Sequence, residues 1–511
     1  MSYQWWGWII VFLLFGIKSL DFPIHDFANY YFAADLLREG QFDSQIYFPE
    51  FFNLWIKDSG VSGQFVSYAP NTPFMPLLFV PLTALSVEHA KWIFSLGISI
   101  LFLISLRRFT HYFEINRWVV TLAPLFFLVP LHHNILFGQM YLWILILLME
   151  GVMAYDKEQW IIMALCWGLA VVLKVFPIVI IGFLVIQKSF RAILYLMISI
   201  TLFIAASIWI SGWEIWMFYW NEILPRFNQG EIAGAFVDNY QSILMFLKRL
   251  FWYDAVHNPD VLIHDKALFI NLLWVYKFIL TSITVWLSTR VPNLLFRFSI
   301  WLVWSVAISA YGSTYGLLVL MFLFFAVSQI EMNYRSKVIV MVFLFVGLNS
   351  AMIPELSFPW NCIRLFIWMG ILGVLVWNFR SSRFVKWMVI GSACIGVTYF
   401  WSENPEQNAI EDLNSPILTY DYRVTHNGIQ YVFWNQKGMC EAEIPISVED
   451  WSVEGVEILD NQIYYAGKQL TDDNGFKKKA VRVNQSILFL SDQGRGIGFY
   501  GLRKIDLDGG E

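Results

Sequence analysis

The chain has 511 residues, of which 58% are hydrophobic and 14% charged, with a formal net charge of −5. Soluble globular proteins carry about 25% charged residues, so a wholly soluble multidomain chain is excluded, and no part is basic enough to point to nucleic acid. The apolar residues come in long runs such as 160–186, broken only by Lys174 and a few small residues, and about 20 such residues cross a bilayer core as a helix.

In chain order, apolar runs predict 13 spans, at 5–20, 89–106, 117–131, 140–155, 160–173, 175–187, 191–210, 267–288, 296–310, 312–329, 336–352, 361–379 and 384–401. The start lacks the basic segment and small-residue cleavage site of a signal peptide, so 5–20 is expected to be retained. With a cytoplasmic N-terminus, the basic clusters at Arg107/Arg108/Arg117, Lys157, Lys188/Arg191, Arg290/Arg297, Arg335/Lys337 and Arg380/Arg383/Lys386 all fall inside. This threading bends 160–186 into two short helices near Lys174 and Pro177. It places the loops 21–88 and 211–266, and everything after 401, on the outside.

The first outside loop opens with apolar residues at Phe27, Tyr30, Tyr31, Ala34 and Leu37, a helical spacing that predicts a helix over 26–38 resting on the membrane surface. The stretch 72–86, punctuated by Pro73, Pro76 and Pro81, is expected to lie at the outer interface or half enter the membrane.

Residues 1–402 form the expected membrane body, and 403–511 a second unit. The second unit holds 18 acidic and 10 basic residues, leaving 21 and 24 for the body. Short runs at 429–434, 462–465 and 486–490, separated by Asn427-Gly428 and Asn474-Gly475, predict a small β-rich domain, and 488–502 reads as one blade-like strand pair. Of Cys166, Cys362, Cys394 and Cys440, only the last lies in this unit, so it holds no internal disulfide, and no Cys/His metal spacing occurs.

Asp26 follows the first span directly. A carboxylate there can take the proton of an attacking acceptor hydroxyl. One carboxylate suffices when the leaving group is a lipid phosphate, which departs as a stable anion, whereas an ordinary glycoside needs a second. The competing reading makes Asp26 the N-cap of the following helix.

Several short motifs occur in order. Asp26-Phe27, Tyr30-Tyr31, Ala33-Ala34 and Leu37 are followed by Tyr47, then Tyr68-Ala-Pro70, Pro73, Pro76-Leu77 and Pro81-Leu82. Asn134 with Gly138-Gln139, Gly168 with Lys174 and Pro177, and Asn239 with Gln241-Ser242-Ile243 complete the series. In this order and spacing the chain resembles glycosyltransferase family 87, the polyprenol-phosphate-sugar-dependent enzymes of the GT-C fold that include bacterial mannosyltransferases. The resemblance implies a GT-C-like body and an inverting transfer of a hexose, with mannose one candidate, to a hydroxyl on the extracytoplasmic face of the cytoplasmic membrane. It implies Asp26 as general base and no cofactor beyond the lipid-linked donor. The partners implied are that donor, a glycan, glycolipid or protein acceptor, and the bilayer. Departures are visible: Tyr240 is inserted after Asn239, the β-rich unit goes beyond the basic family body, and where the family often carries a histidine after Ser-Pro in a late outer turn, this chain reads Ser309-Ala-Tyr-Gly-Ser-Thr-Tyr315.

A lysine at bilayer depth costs a few kcal/mol unless partnered, which makes Lys174 a candidate for the donor phosphate; the alternative is a snorkelling or ion-paired lysine. Arg226 and Arg364 are further phosphate candidates. His132, His133 and Gln139, expected in a short outside turn, are candidates for sugar hydroxyls, as are Asn239, Gln241 and Ser242. Of the aromatic residues, Tyr30, Tyr31, Tyr47 and Tyr68 are assigned to the cavity; the rest suit lipid-facing belts. No nucleotide-binding motif is present. A transporter or flippase for a lipid-linked saccharide is the alternative function, although no second copy of the 160–187 break accompanies it.

Overall fold

The computed structural model describes residues 3–61, 65–232, 241–253, 261–352, 357–379, 410–413, 418–435 and 438–507, together with Phe236 and Asn258. Every candidate span from 5–20 to 361–379 falls on helix. The last, 384–401, lies outside the described residues, as do Arg380, Arg383 and Lys386. Val87–Tyr112, Phe190–Ser211, Lys266–Arg290 and Trp360–Phe379 are long and apolar enough to cross a membrane. Arg117–Phe126 and Leu128–Phe137, bent by 60° at Phe127, make a fifth span if taken together. Trp6–Leu20, Trp160–Leu173, Phe176–Ile186, Leu294–Ile308 and Tyr315–Gln329 are shorter apolar helices. This is a multi-pass membrane protein.

The bend at Lys174 is present. The helix Trp160–Leu173 has 14 residues, about 21 Å at 1.5 Å per residue, too short for a hydrocarbon core of about 30 Å. Lys174 adopts an extended backbone conformation, and the chain turns through Phe176–Val179 into Ile180–Ile186. Trp167 anchors this pair, stacking on Phe298 at 5.5 Å between ring centres and packing its edge on Phe183.

One expectation for the first loop is corrected. The helix forms at Phe27–Arg38, but every residue from Phe27 to Ala34 is buried, and so is Leu36. It is enclosed by protein and does not rest on a membrane surface: Phe27 packs against Phe79 and Phe94, so the Val87–Tyr112 helix covers the face meant for lipid. The 72–86 stretch forms two 3-10 turns, Met75–Leu78 and Val80–Ala84, because its closely spaced prolines deny the backbone donors that a longer α-helix needs.

The C-terminal region is β-rich, as expected. Ser486–Ser491 pairs antiparallel with both Gly501–Asp506 and Lys477–Val483, and Gly501–Asp506 pairs in turn with Ile410–Asp412. Leu418–Thr425, Gly428–Asn435 and Gly438–Ile444 form a second, meandering sheet. The 488–502 run is thus a strand pair, but the residues between its strands, 492–500, reach out of the sheet. Ile497 is fully buried in the hydrophobic cluster of the membrane body.

Candidate functional site

Asp26 occupies the N-cap position of Phe27–Arg38 but makes no side-chain capping bond. Its carboxylate points elsewhere: Oδ2 accepts from Gln139 Nε2 at 2.6 Å, and Oδ1 lies 3.1 Å from His25 Nδ1. His25 has φ +54°, a left-handed conformation uncommon for a residue with a Cβ. This sharp turn brings the chain from Pro23 into the helix with both side chains on one side. The His25 ring stacks on Phe137 at 4.0 Å.

Gln139 reaches Asp26 because the Leu128–Phe137 helix ends at Gly138, with φ +68°. A Cβ at Gly138 would come within 2.6 Å of the Phe27 Cβ, so the approach of this turn to the Asp26 helix requires glycine. The Gln139 carboxamide is used at both ends, its Oε1 accepting from the Tyr30 hydroxyl at 2.7 Å. Burial first, and the Asp26 charge second, push the Tyr30 phenol well above its ordinary range, so it stays protonated and donates.

Across the Tyr30 ring lies Lys174. Its Nζ donates to Asn71 Oδ1 at 2.7 Å and stands 5.9 Å from the ring centres of both Tyr30 and Tyr141. Asn71 is held in turn by its own bond to the Tyr68 carbonyl at 2.7 Å. A bond from Thr72 Oγ1 to the Val172 carbonyl ties the same segment to the end of the short helix. Lys174 therefore has a neutral partner among the described residues.

The other predicted residues divide. Tyr47 and Tyr68 are buried beneath the site, where their hydroxyls donate to the carbonyls of Asn71 and Thr72 at 2.9 and 2.7 Å; they shape the turn that presents Asn71. The Tyr31 hydroxyl bonds to the Leu85 carbonyl at 2.6 Å. His132 and His133 are not in a turn, which corrects the expectation. They lie within Leu128–Phe137, since nothing before Gly138 interrupts the helix, with ring centres 5.5 Å apart. His132 meets Lys18 at 3.1 Å, while His133 stacks on Phe137 and bonds to Thr314.

Gln241 and Ser242 hold structure together. Ser242 caps Ile243–Phe251 and donates to the Ala310 carbonyl at 2.8 Å; Gln241 Oε1 accepts from the Arg364 backbone at 2.9 Å. Asn239 lies outside the described residues. Arg364 is buried, with its guanidinium on the Gly312 carbonyl, in the same late turn as Thr314. Arg226 is corrected: its buried guanidinium bonds to Asp492 at 3.1 Å and to the Asn474 carbonyl, and covers Phe476. All three belong to the β-rich region, so Arg226 is a docking residue and not a phosphate ligand.

Sequence reasoning passed over Asn71, Tyr141, His25 and Thr314. Asn71 and His25 adjoin Pro70 and Asp26 in the sequence, but only the folded contacts give them a partner.

Fold and site together define a polytopic membrane protein with a polar centre built from a carboxylate and an ammonium group. Residues 70–310 match the family model for glycosyltransferase family 87. This match supports the family resemblance and, with it, a glycosyltransferase activity. The match includes Asn71, Gln139, Lys174 and Gln241, begins after Asp26 and ends before the β-rich region. No curated protein matches the chain.

Proposed function

We propose that the chain transfers a hexose from a polyprenyl-phosphate donor to a hydroxyl acceptor, with Asp26 as general base. In this reading the acceptor oxygen attacks the anomeric carbon and its proton passes to Asp26. The bond from the anomeric carbon to the phosphate oxygen breaks on the opposite face, its electron pair leaving with the phosphate. The configuration inverts, and the Lys174 ammonium offsets the charge on the departing phosphate. Mannose is the hexose we favour, on the family resemblance.

The observation that carries this reading is the placement of Asp26 and Lys174 on either side of the Gln139–Tyr30 pair. One group is an anion one-quarter exposed, suited to receiving a proton. The other is a cation whose partner is a neutral amide, leaving its charge available to an anion. Tyr141, whose ring centre is 5.9 Å from the Lys174 ammonium, lies near enough to help shape the donor end.

We further propose the 13-span threading, with the site and the C-terminal domain on the extracytoplasmic face of the cytoplasmic membrane. The basic clusters support that side. The contacts of Phe48, Glu50, Phe65, Arg226 and Ile232 with the β-rich region support a common side for loops and domain.

Proteoliposomes supplied with radiolabelled polyprenyl-phosphate hexose test the proposal. Label transferred to an acceptor by the wild type and lost in Asp26→Asn supports it. Label that crosses the bilayer without transfer would instead indicate a flippase.

A further inference from the structure

The run Asp492-Gln-Gly-Arg-Gly-Ile-Gly498 is glycine-rich for a reason found outside its own sheet. A Cβ at Gly496 would lie 2.2 Å from the Ile232 carbonyl oxygen, and one at Gly498 2.9 Å from Pro49 Cδ. The loop is pressed against the body, and Ile497 is buried there.

Charge fixes the contact. Asp492 is wholly buried and accepts three bonds: from Arg226 Nη1 at 3.1 Å, the Phe476 amide at 2.7 Å and the Gly498 amide at 2.8 Å. A buried carboxylate is tolerated only when paired and hydrogen-bonded in this way.

From this latch the packing runs inward without a gap. Phe476 lies under the Arg226 guanidinium and packs on Phe48 at 5.3 Å and Phe218 at 6.0 Å. Phe218 meets Tyr47 at 5.8 Å. Tyr47 also contacts Tyr219, the first residue of a π-helical turn, at 6.3 Å, and such turns are frequent at functional sites. Tyr47 packs on Tyr68 at 5.2 Å and donates to the Asn71 carbonyl, and Asn71 holds Lys174.

We infer that the C-terminal domain is part of the catalytic apparatus: Asp492, Arg226 and Phe476 are positioning residues that set the Asn71 turn and, through it, the Lys174 ammonium. This inference rests on the reading of Lys174 as the donor-phosphate contact. A domain serving only to collect acceptor would need a surface for it but no packed path to Lys174.

The test uses full-length protein in proteoliposomes and compares Asp492→Asn, Phe476→Leu and Asn71→Ala. Each is expected to lower kcat or raise the donor KM by roughly 2- to 30-fold, the span seen for coupling through packed networks, with the acceptor KM unmoved. The Asp492→Asn/Asn71→Ala double variant is expected to be no worse than the poorer single, since both act through one element. Lys478→Ala removes a half-exposed ion pair with Glu50 at the same interface and is expected to leave the kinetics unchanged.

Hydrogen exchange over residues 66–79 supplies a readout without catalysis and is expected to rise in Asp492→Asn. Additive kinetic losses, a change confined to the acceptor KM, or unaltered exchange would each overturn the inference. If Asp492→Asn does not fold, Phe476→Leu, which keeps the charged latch, answers the same questions. A kinetically silent Lys174→Met would sink the phosphate reading alone, with exchange still deciding whether the domain sets the Asn71 turn.

Discussion

Gln139 and Asp26, 113 residues apart, meet through a 2.6 Å bond from carboxamide to carboxylate. The bond leaves Asp26 with its second oxygen toward His25, 3.1 Å away. Asp35 is the neighbouring acid on the same helix, but it pairs with Arg38 at 2.7 Å. The half-turn offset between positions nine apart therefore sends the two acids to different partners.

Asp26→Asn is expected to reduce transfer by about 10²–10⁴-fold, the usual contribution of a general base. Expression and the melting temperature in detergent should stay near wild type, because Asp26 makes no cap. Asp35→Asn should lose stability in preference to turnover. Retention of most activity in Asp26→Asn would remove the base assignment.

Gln139→Leu should act on both stability and rate. It strands the buried Tyr30 hydroxyl, a loss of about 1–3 kcal/mol for an unsatisfied buried group, readable as a lower melting temperature. Tyr30→Phe removes the stranded hydroxyl, so Gln139→Leu/Tyr30→Phe should recover part of that stability and little of the rate. Equal melting temperatures for the single and double variants would contradict the bond network.

Lys174→Met should raise the donor KM or slow turnover and cost only about 1–3 kcal/mol, through the unsatisfied Asn71 oxygen. Because Asn71 is neutral, no buried carboxylate is stranded, and the 3–5 kcal/mol penalty of a broken buried ion pair is not expected. Aggregation of Lys174→Met with wild-type kinetics in the surviving protein would show a purely structural lysine.

An alkaline limit to stability follows from the first loop. Burial is the main cause raising the phenols of Tyr30, Tyr47 and Tyr68 well above their ordinary value. Above about pH 10 the unfolded chain releases these protons while the folded chain keeps them. The folded state then binds more protons, so stability is full below that pH and falls as pH rises through it. Melting temperatures measured between about pH 8 and 11 should decline at the top of that range, with tyrosinate absorbance lagging behind that of the unfolded protein. A flat profile would argue that these tyrosines are reached by water.

Val453→Cys in a background without native cysteines tests sidedness, since Val453 is 67% exposed and distant in sequence from the docking loop. An impermeant maleimide should label it from outside intact cells. Labelling only after the cytoplasmic side is opened would reverse the proposed threading.

The sequence by itself determined the class of this protein and the positions of its helices, because span formation depends on local hydrophobicity and on length. The same holds for the break at Lys174 and Pro177, where a proline and an isolated charge interrupt the run, and for the β-rich end, where turn pairs punctuate short alternating strands. It also singled out Asp26, Gln139 and Lys174, through local patterns that carry a known chemistry. Only the tertiary structure decided what those groups touch. Asn71 and Tyr141 have no signature until 103 residues of chain fold back to bring Lys174 to Asn71. Arg226 looked like any cation near an outer surface until Asp492, 266 residues later, proved to be its partner. Tyr47 and Tyr68, residues of the quoted motifs, were expected in the cavity; packing turned them inward as supports of the Asn71 turn. Hydrophobic periodicity records which faces are buried, whereas the identity of the burying partner depends on which distant segments meet, and that is a property of the folded chain.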